Sequence, residues 1–268
     1  MADLPASAPA REIPFRGGGF VLSPRRGAAI LAFAFVLALW EAASRAGWIS
    51  EIFLPSPGSV LTALQELIVS GILWTHIGVS LGRLLVGWTV GTGCGLAAGL
   101  AIGIWSLSRA IGLPVVSALF PIPKIALLPL LILWLGIGES SKVATIALGV
   151  FFPTTIAMFS AIDAVPRNLI RMGQSFNLPP VAVLRKIVLP GALPGILSGF
   201  RITASIALIL LVSAEMIGAE HGIGAFILQA GNLMQTDQLL AGVVVLSVLG
   251  LLVGTALTRL EKWLLRWR

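Results

Sequence analysis

Residues 77–104 read IGVSLGRLLVGWTVGTGCGLAAGLAIGI, a stretch of 28 residues with one charge, Arg83. As a helix rising ~1.5 Å per residue it is roughly 42 Å long, more than the ~30 Å hydrocarbon layer of a bilayer. Gly87, Gly91, Gly95, Gly99 and Gly103 recur at every fourth position, which puts five glycines on one slowly rotating face. Such a stripe lets a second backbone approach closely in a membrane; the alternative is a pore-lining face.

The whole chain has the same character. Its 268 residues are 57% hydrophobic and 11% charged, with mean hydropathy +1.00. A soluble domain carries about 25% charged residues, so a soluble globular protein is excluded. Stretches of about 20 apolar residues suggest six spans: 27–47, 77–104, 113–135, 143–162, 193–214 and 239–258. The reading is an all-α polytopic membrane protein with a tail at 1–26 and a single transmembrane domain at 27–268. The tail is polar and basic and the apolar segment after it is long, which predicts an uncleaved anchor and not a signal sequence. Cys94 is the single cysteine, which excludes an intramolecular disulfide framework or a cysteine metal cage.

The net charge of +7 suggests nucleic acid until the basic residues are sorted by position. With the N-terminus inside, the cytoplasmic segments hold Arg11, Arg16, Arg25, Arg26, Arg109, Arg167, Arg171, Arg185, Lys186, Arg259, Lys262, Arg266 and Arg268, and the outer loops hold Arg45 and Lys142. This is the bias that orients membrane proteins, so both termini are expected in the cytoplasm and no nucleic-acid partner is expected.

Between the first two spans, Leu54-Pro55-Ser56-Pro57 reads as an extended break, followed by a surface helix at about 58–70. The long loop at 163–192 is the most informative. Asn177 tolerates a left-handed conformation and can end one short helix, and Pro179 and Pro180 can open a second that runs to about Val188 and is stopped by Pro190. This second helix is amphipathic, with Val181, Leu184 and Val188 on one side and Arg185 and Lys186 elsewhere. It suits either the membrane surface or the groove of a cytoplasmic partner.

The loop resembles the conserved cytoplasmic loop of bacterial ABC-importer permeases, Glu-Ala-Ala, three residues, Gly, nine residues, Ile-x-Leu-Pro. Ile187-Val188-Leu189-Pro190 matches its end. Asn177 stands where that family has Gly, and Arg171-Met172-Gly173 where it has Glu-Ala-Ala. Pro121-Ile122-Pro123-Lys124, the run from Leu127 to Glu139, Gly149-Val150-Phe151-Phe152-Pro153, Leu54-Pro55-Ser56-Pro57 and Ala214-Glu215-Met216-Ile217-Gly218 resemble the nitrate, aliphatic sulfonate, taurine and bicarbonate branch.

The resemblance implies a type I ABC-importer permease fold in a bacterial inner membrane. Its partners are then a second copy of the permease, two ATPase subunits, an extracytoplasmic solute-binding protein and membrane lipid. ATP and magnesium belong to the ATPase subunits, and this chain binds no cofactor. It lacks the Gly-x-x-x-x-Gly-Lys-Ser/Thr phosphate loop. The permease is expected to be non-catalytic, with ATPase coupling on Phe176, Asn177, Leu178, Pro179, Pro180, Val181, Leu184 and Arg185. The solute is expected to be small and anionic.

Glu41, Arg83, Lys124 and Arg201 lie inside expected spans, where a charge faces protein or water. Glu41 and Arg45, four apart, share one helical face. Lys124 follows the break made by Pro121 and Pro123, so it either meets an anionic solute or is capped by carbonyls at the kink. Arg201 is expected to pair with a neighbour or with the long loop, and still belongs with Lys124 among candidate pathway residues. Glu215 is read as opening a polar outer loop, as part of a gate, of a docking face, or as plain structure. His76 and His221 have no neighbouring ligands, so no metal site is expected. The rival reading is a secondary transporter driven by an ion gradient, which needs a free intramembrane carboxylate; Glu41 alone qualifies in sequence, and it sits beside Arg45.

Overall fold

The glycine stripe is the seam of the molecule. In the computed structural model, which describes residues 26–48 and 50–267, the long helix α3 (Ile72–Ile104) packs lengthwise and parallel on α6 (Glu139–Asp163). A Cβ on Gly91 would lie 2.4 Å from the Ala147 carbonyl oxygen, and one on Gly95 would lie 2.7 Å from that of Phe151. Only glycine allows the two backbones this close, and closeness is what gives helices in lipid their dispersion contact. On its other side α6 packs antiparallel on α9 (Leu189–Met216), with Gly195 against Ala161 and Gly199 against Ala157. These three helices enclose the core of Leu84, Ile146, Val150, Ala207, Leu210 and Leu211.

The remaining elements wrap this trio. α1 (Arg26–Arg45) leads to the proline break, where Ser56 is extended and its hydroxyl accepts the Ser59 N–H at 3.1 Å. That cap and Pro57 at the first helical turn start α2 (Pro57–Val69). Val60, Ala63 and Leu67 of α2 pack with Leu73, Phe226 and Ala241, so α2 lies across α3, α10 (Ile223–Asn232) and α11 (Thr236–Leu264). Glu41 receives the Gly58 N–H at 3.1 Å and Arg45 at 2.5 Å.

Several expected boundaries shift. The second span begins at Ile72, and the fourth and sixth cover Glu139–Asp163 and Thr236–Leu264. Glu139 and Lys142, expected in a loop, therefore lie in a helix. The third span is two limbs: α4 (Ser106–Leu119), then a 3-10 turn at Lys124–Leu127 running into α5 (Leu128–Leu135), bent by 86° at the Pro121–Pro123 break. Pro114 stays inside α4 and the later prolines end it. Among the described residues, four helices are long and apolar enough to cross a membrane, or five if the bent pair counts as one. Most of the expected tail at 1–26 lies outside the described residues.

The long loop folds as α7 (Arg167–Ser175) and α8 (Pro180–Val183), with Asn177 at φ 54° between them. Pro190 does not stop the second helix as expected. A five-residue π turn at Leu184–Val188 carries α8 straight into α9, with the Leu189 N–H bonded to the Leu184 carbonyl. Pro190 cannot donate to the preceding turn, and widening the turn removes both the missing bond and the clash of its ring.

Candidate functional site

Two polar centres lie at opposite ends of the α3–α6–α9 trio, with a third feature between them. At one end Arg83, Ser80 and His76 extend the glycine stripe of α3 by about one, two and three turns, so they too face inward. Arg83, 4% exposed, meets carboxylates from two helices. Its Nε and Nη2 donate to the Glu139 oxygens at 2.6 and 2.5 Å, and its Nη1 donates to Glu215 Oε1 at 2.9 Å and to the His221 carbonyl at 2.7 Å. Glu215 also accepts the Ser80 hydroxyl at 2.7 Å and the Gly224 N–H at 2.9 Å. Ser80 in turn accepts the Ile223 N–H at 2.8 Å, and His76 Nδ1 stands 3.0 Å from the Gly222 nitrogen.

The chain can turn back over this centre because of Gly222. Its φ is 132°, and a Cβ there would lie 2.4 Å from the Glu215 carboxyl carbon. Glu215 is therefore a buried member of α9's last turn, not the opening residue of an exposed loop. Its carboxylate can be buried because Ser80, Arg83 and Gly224 all donate to it. The centre borders a cavity of about 330 Å³, also lined by Lys142, Gly138 and Glu220. The signal for the missed residues was periodic: Arg83 on a buried stripe demands acidic partners, yet which acids cannot be told from spacing.

Midway, the Lys124 ammonium donates to the carbonyls of Leu119, Phe120 and Ile122 at 2.8, 3.1 and 2.7 Å, and lies 4.5 Å from the Phe152 ring centre. All three of its donors are thus taken by backbone carbonyls at the break, of which that of Leu119 also accepts the Ile122 N–H at 3.3 Å. Pro121 and Pro123 flank the same turn. Arg201 is elsewhere, paired with Glu261 of α11. It lies 14 residues before Glu215 on one helix, roughly 21 Å away, so the expected pathway residues do not converge on one point.

At the far end, Arg109 pairs with Asp163, and α7 and α8 form an elbow. Leu178 and Leu184 turn inward onto a core of Met158, Val165, Val183 and Val188. Gly173 sits against Ile187, where a Cβ would be 2.6 Å from its side chain. Phe176 is 74% exposed, with Met172, Val181 and Leu169 also exposed, as are Asn177, Pro179, Pro180 and Arg185. The coupling set expected from sequence thus divides into an exposed group and two residues that brace it.

Residues 91–267 match the family described as binding-protein-dependent transport system inner membrane component. A Bacillus subtilis permease named for aliphatic sulfonates transport, SsuC, is 35% identical over 235 residues, 88% of this chain and 85% of its own. The taurine transport system permease protein TauC of Escherichia coli is 34% identical over 239 residues, 87% of each chain. In fold, the chain superposes on a chain of the inward-facing MetNI methionine ABC transporter with TM-score 0.62 at 23% identity, covering 72% of this chain and 96% of that one. The chain belongs to the family of inner membrane components of binding-protein-dependent transport systems.

Proposed function

We propose that this ABC permease works as one of two identical subunits in an importer that carries a small sulfonate, of the taurine or alkylsulfonate kind, across a bacterial inner membrane. A solute-binding protein delivers the solute, and two ATPase subunits, which hold ATP and magnesium, drive the cycle. The permease itself catalyses no reaction. Its chain crosses six times, counting α1 and the bent α4–α5 pair, with both termini in the cytoplasm. Arg109, Arg167, Arg171, Arg185 and Lys186 then lie at the cytoplasmic end, and the Arg83 centre at the outer end.

The observation that carries the reading is the elbow of α7 and α8. Phe176 and Val181 present exposed apolar side chains beside basic residues, at the end of a helix that continues through the π turn into α9. A partner that grips this knob moves a membrane-spanning helix directly. The ion-gradient alternative needs a carboxylate free to load a cation, whereas Glu139 and Glu215 are both bonded to Arg83, and Glu41 to Arg45. Lys124 braces the break by capping its carbonyls, beside the path.

Reconstitution tests this. In proteoliposomes holding permease, ATPase and binding protein, ethanesulfonate or taurine uptake is expected with internal ATP and none with an ion gradient alone. Uptake driven by a gradient without ATP would overturn the reading.

A further inference from the structure

The Arg83 centre holds two carboxylates in unequal ways. Glu215 has a side chain 0% exposed and takes three donors, whereas the Glu139 side chain is 64% exposed and among the described residues is bonded only to Arg83. Glu139 can therefore turn out into solvent with no bond to lose except those to Arg83, while Glu215 is also held by Ser80 and Gly224. What it would uncover is the Nε–Nη2 edge of a guanidinium, two parallel N–H groups whose geometry matches two oxygens of a carboxylate, sulfonate or phosphate.

The surrounding walls favour the same chemistry. Lys142, 3% exposed, lines the cavity and gives two of its three N–H groups to the Ile137 and Gly138 carbonyls at 2.7 and 3.1 Å. One donor is left over. The N-terminus of the 25-residue α6 opens on the cavity at Gly138, which brings no side chain to cap it. Arg83 and Glu215 neutralise each other, so once Glu139 swings out Lys142 leaves the inner wall with a positive excess; Glu220, on the cavity wall and exposed, is the other acid facing it.

We propose that this 330 Å³ cavity is an oxyanion site in which an arriving alkylsulfonate exchanges with Glu139 on the Arg83 guanidinium. It deepens the sulfonate reading of the preceding subsection and rests on it. Glu139 acts as a resident placeholder that keeps the buried arginine paired while the site is vacant, and the exchange keeps the charge on the guanidinium balanced throughout.

The test is titration of the full chain in lipid nanodiscs with ethanesulfonate, followed by calorimetry, with neutral dimethyl sulfone as the control. Saturable binding is expected in the parent, about tenfold tighter in Glu139→Gln because a competing charge-assisted bond is gone. Arg83→Lys in that background keeps a charge for Glu215, loses the fork and loses the gain. Glu139→Asp, which retracts the carboxylate by one methylene, gives an intermediate gain and serves should Glu139→Gln fold poorly. The proposal is overturned if neither Glu139 variant binds more tightly, or if dimethyl sulfone follows the same order. ATP-driven ethanesulfonate uptake without any gain in the Glu139 variants sinks this site alone. A gain without uptake sinks the transport reading alone.

Discussion

Arg83 and Glu215, 132 residues apart in the chain, meet at 2.9 Å with side chains 4% and 0% exposed, and tie the first third of α3 to the last turn of α9. Glu139 joins them from α6, so one guanidinium holds the three central helices at the end where the chain folds back through Gly222. The buried charge is tolerable because it is paired, with Glu215 buried beside it and Glu139 reaching it from the exposed side.

Arg83→Met leaves the Glu215 carboxylate shielded with two neutral donors and no countercharge. We expect a loss of about 3–5 kcal/mol in unfolding stability, the range for breaking a buried pair. Arg83→Met with Glu215→Gln recovers part of it, since the orphan charge is gone. Thermal unfolding in detergent reads both. The contrast is Asp163→Asn at the opposite end, where both partners of the Arg109 pair are nearly half exposed. That variant should melt with the parent. A single-variant loss below about 1 kcal/mol at Arg83 would contradict the buried-pair account.

The α3–α6 seam predicts a sharp difference between neighbouring glycines. Gly91→Ala places a methyl 2.4 Å from a backbone oxygen that cannot rotate away, so the helices must part. The expected loss is about 1–3 kcal/mol, typical of overpacking. Gly93→Ala meets nothing within 4 Å and should be neutral or slightly stabilising. Equal melting temperatures for the two variants would show that the stripe is not a packing seam.

At the elbow the exposed and inward residues should separate in two assays. Phe176→Asp and Val181→Asp are expected to keep the parental melting temperature, because the charge falls on exposed positions, and to lose the ATPase on co-purification if the proposed contact is there. Leu184→Asp loses the ATPase and also melts earlier, since Leu184 packs on the core around Val183 and Val188. Retention of the ATPase by Phe176→Asp would remove this surface as the coupling contact.

Lys124→Met removes the donors that satisfy three carbonyls at the bend of α4 and α5. A drop of about 1 kcal/mol is expected, the net worth of a hydrogen bond at an exposed bend where the Leu119 carbonyl keeps the Ile122 N–H. Uptake should fall with stability while the preference among anions stays fixed. Competition assays with acetate, nitrate and ethanesulfonate check this; a changed order of preference would make Lys124 a solute contact instead.

Much of this architecture is visible in the order of the residues because membrane physics is one-dimensional. Apolar length marks the helices long enough to cross a membrane, and five glycines at every fourth position announce a close packing partner. Asn177 at the turn of the elbow is legible for the same local reason, since few residues accept φ near 54°. Pro190 was misleading because its local preference for stopping a helix was overridden by a π turn that α9's packing on α6 makes worthwhile.

What the sequence determined by itself is the class of protein, the long apolar helices and the position of the elbow between α7 and α8, all of which follow from hydropathy and backbone preference within one or two turns. Only the tertiary structure decided which charges meet: that Arg83 takes Glu139 and Glu215, that Arg201 takes Glu261, and that Lys124 is spent on its own carbonyls. Those pairings depend on the register and depth of helices brought together from distant parts of the chain, and register is set by how side chains interlock, which no local pattern encodes.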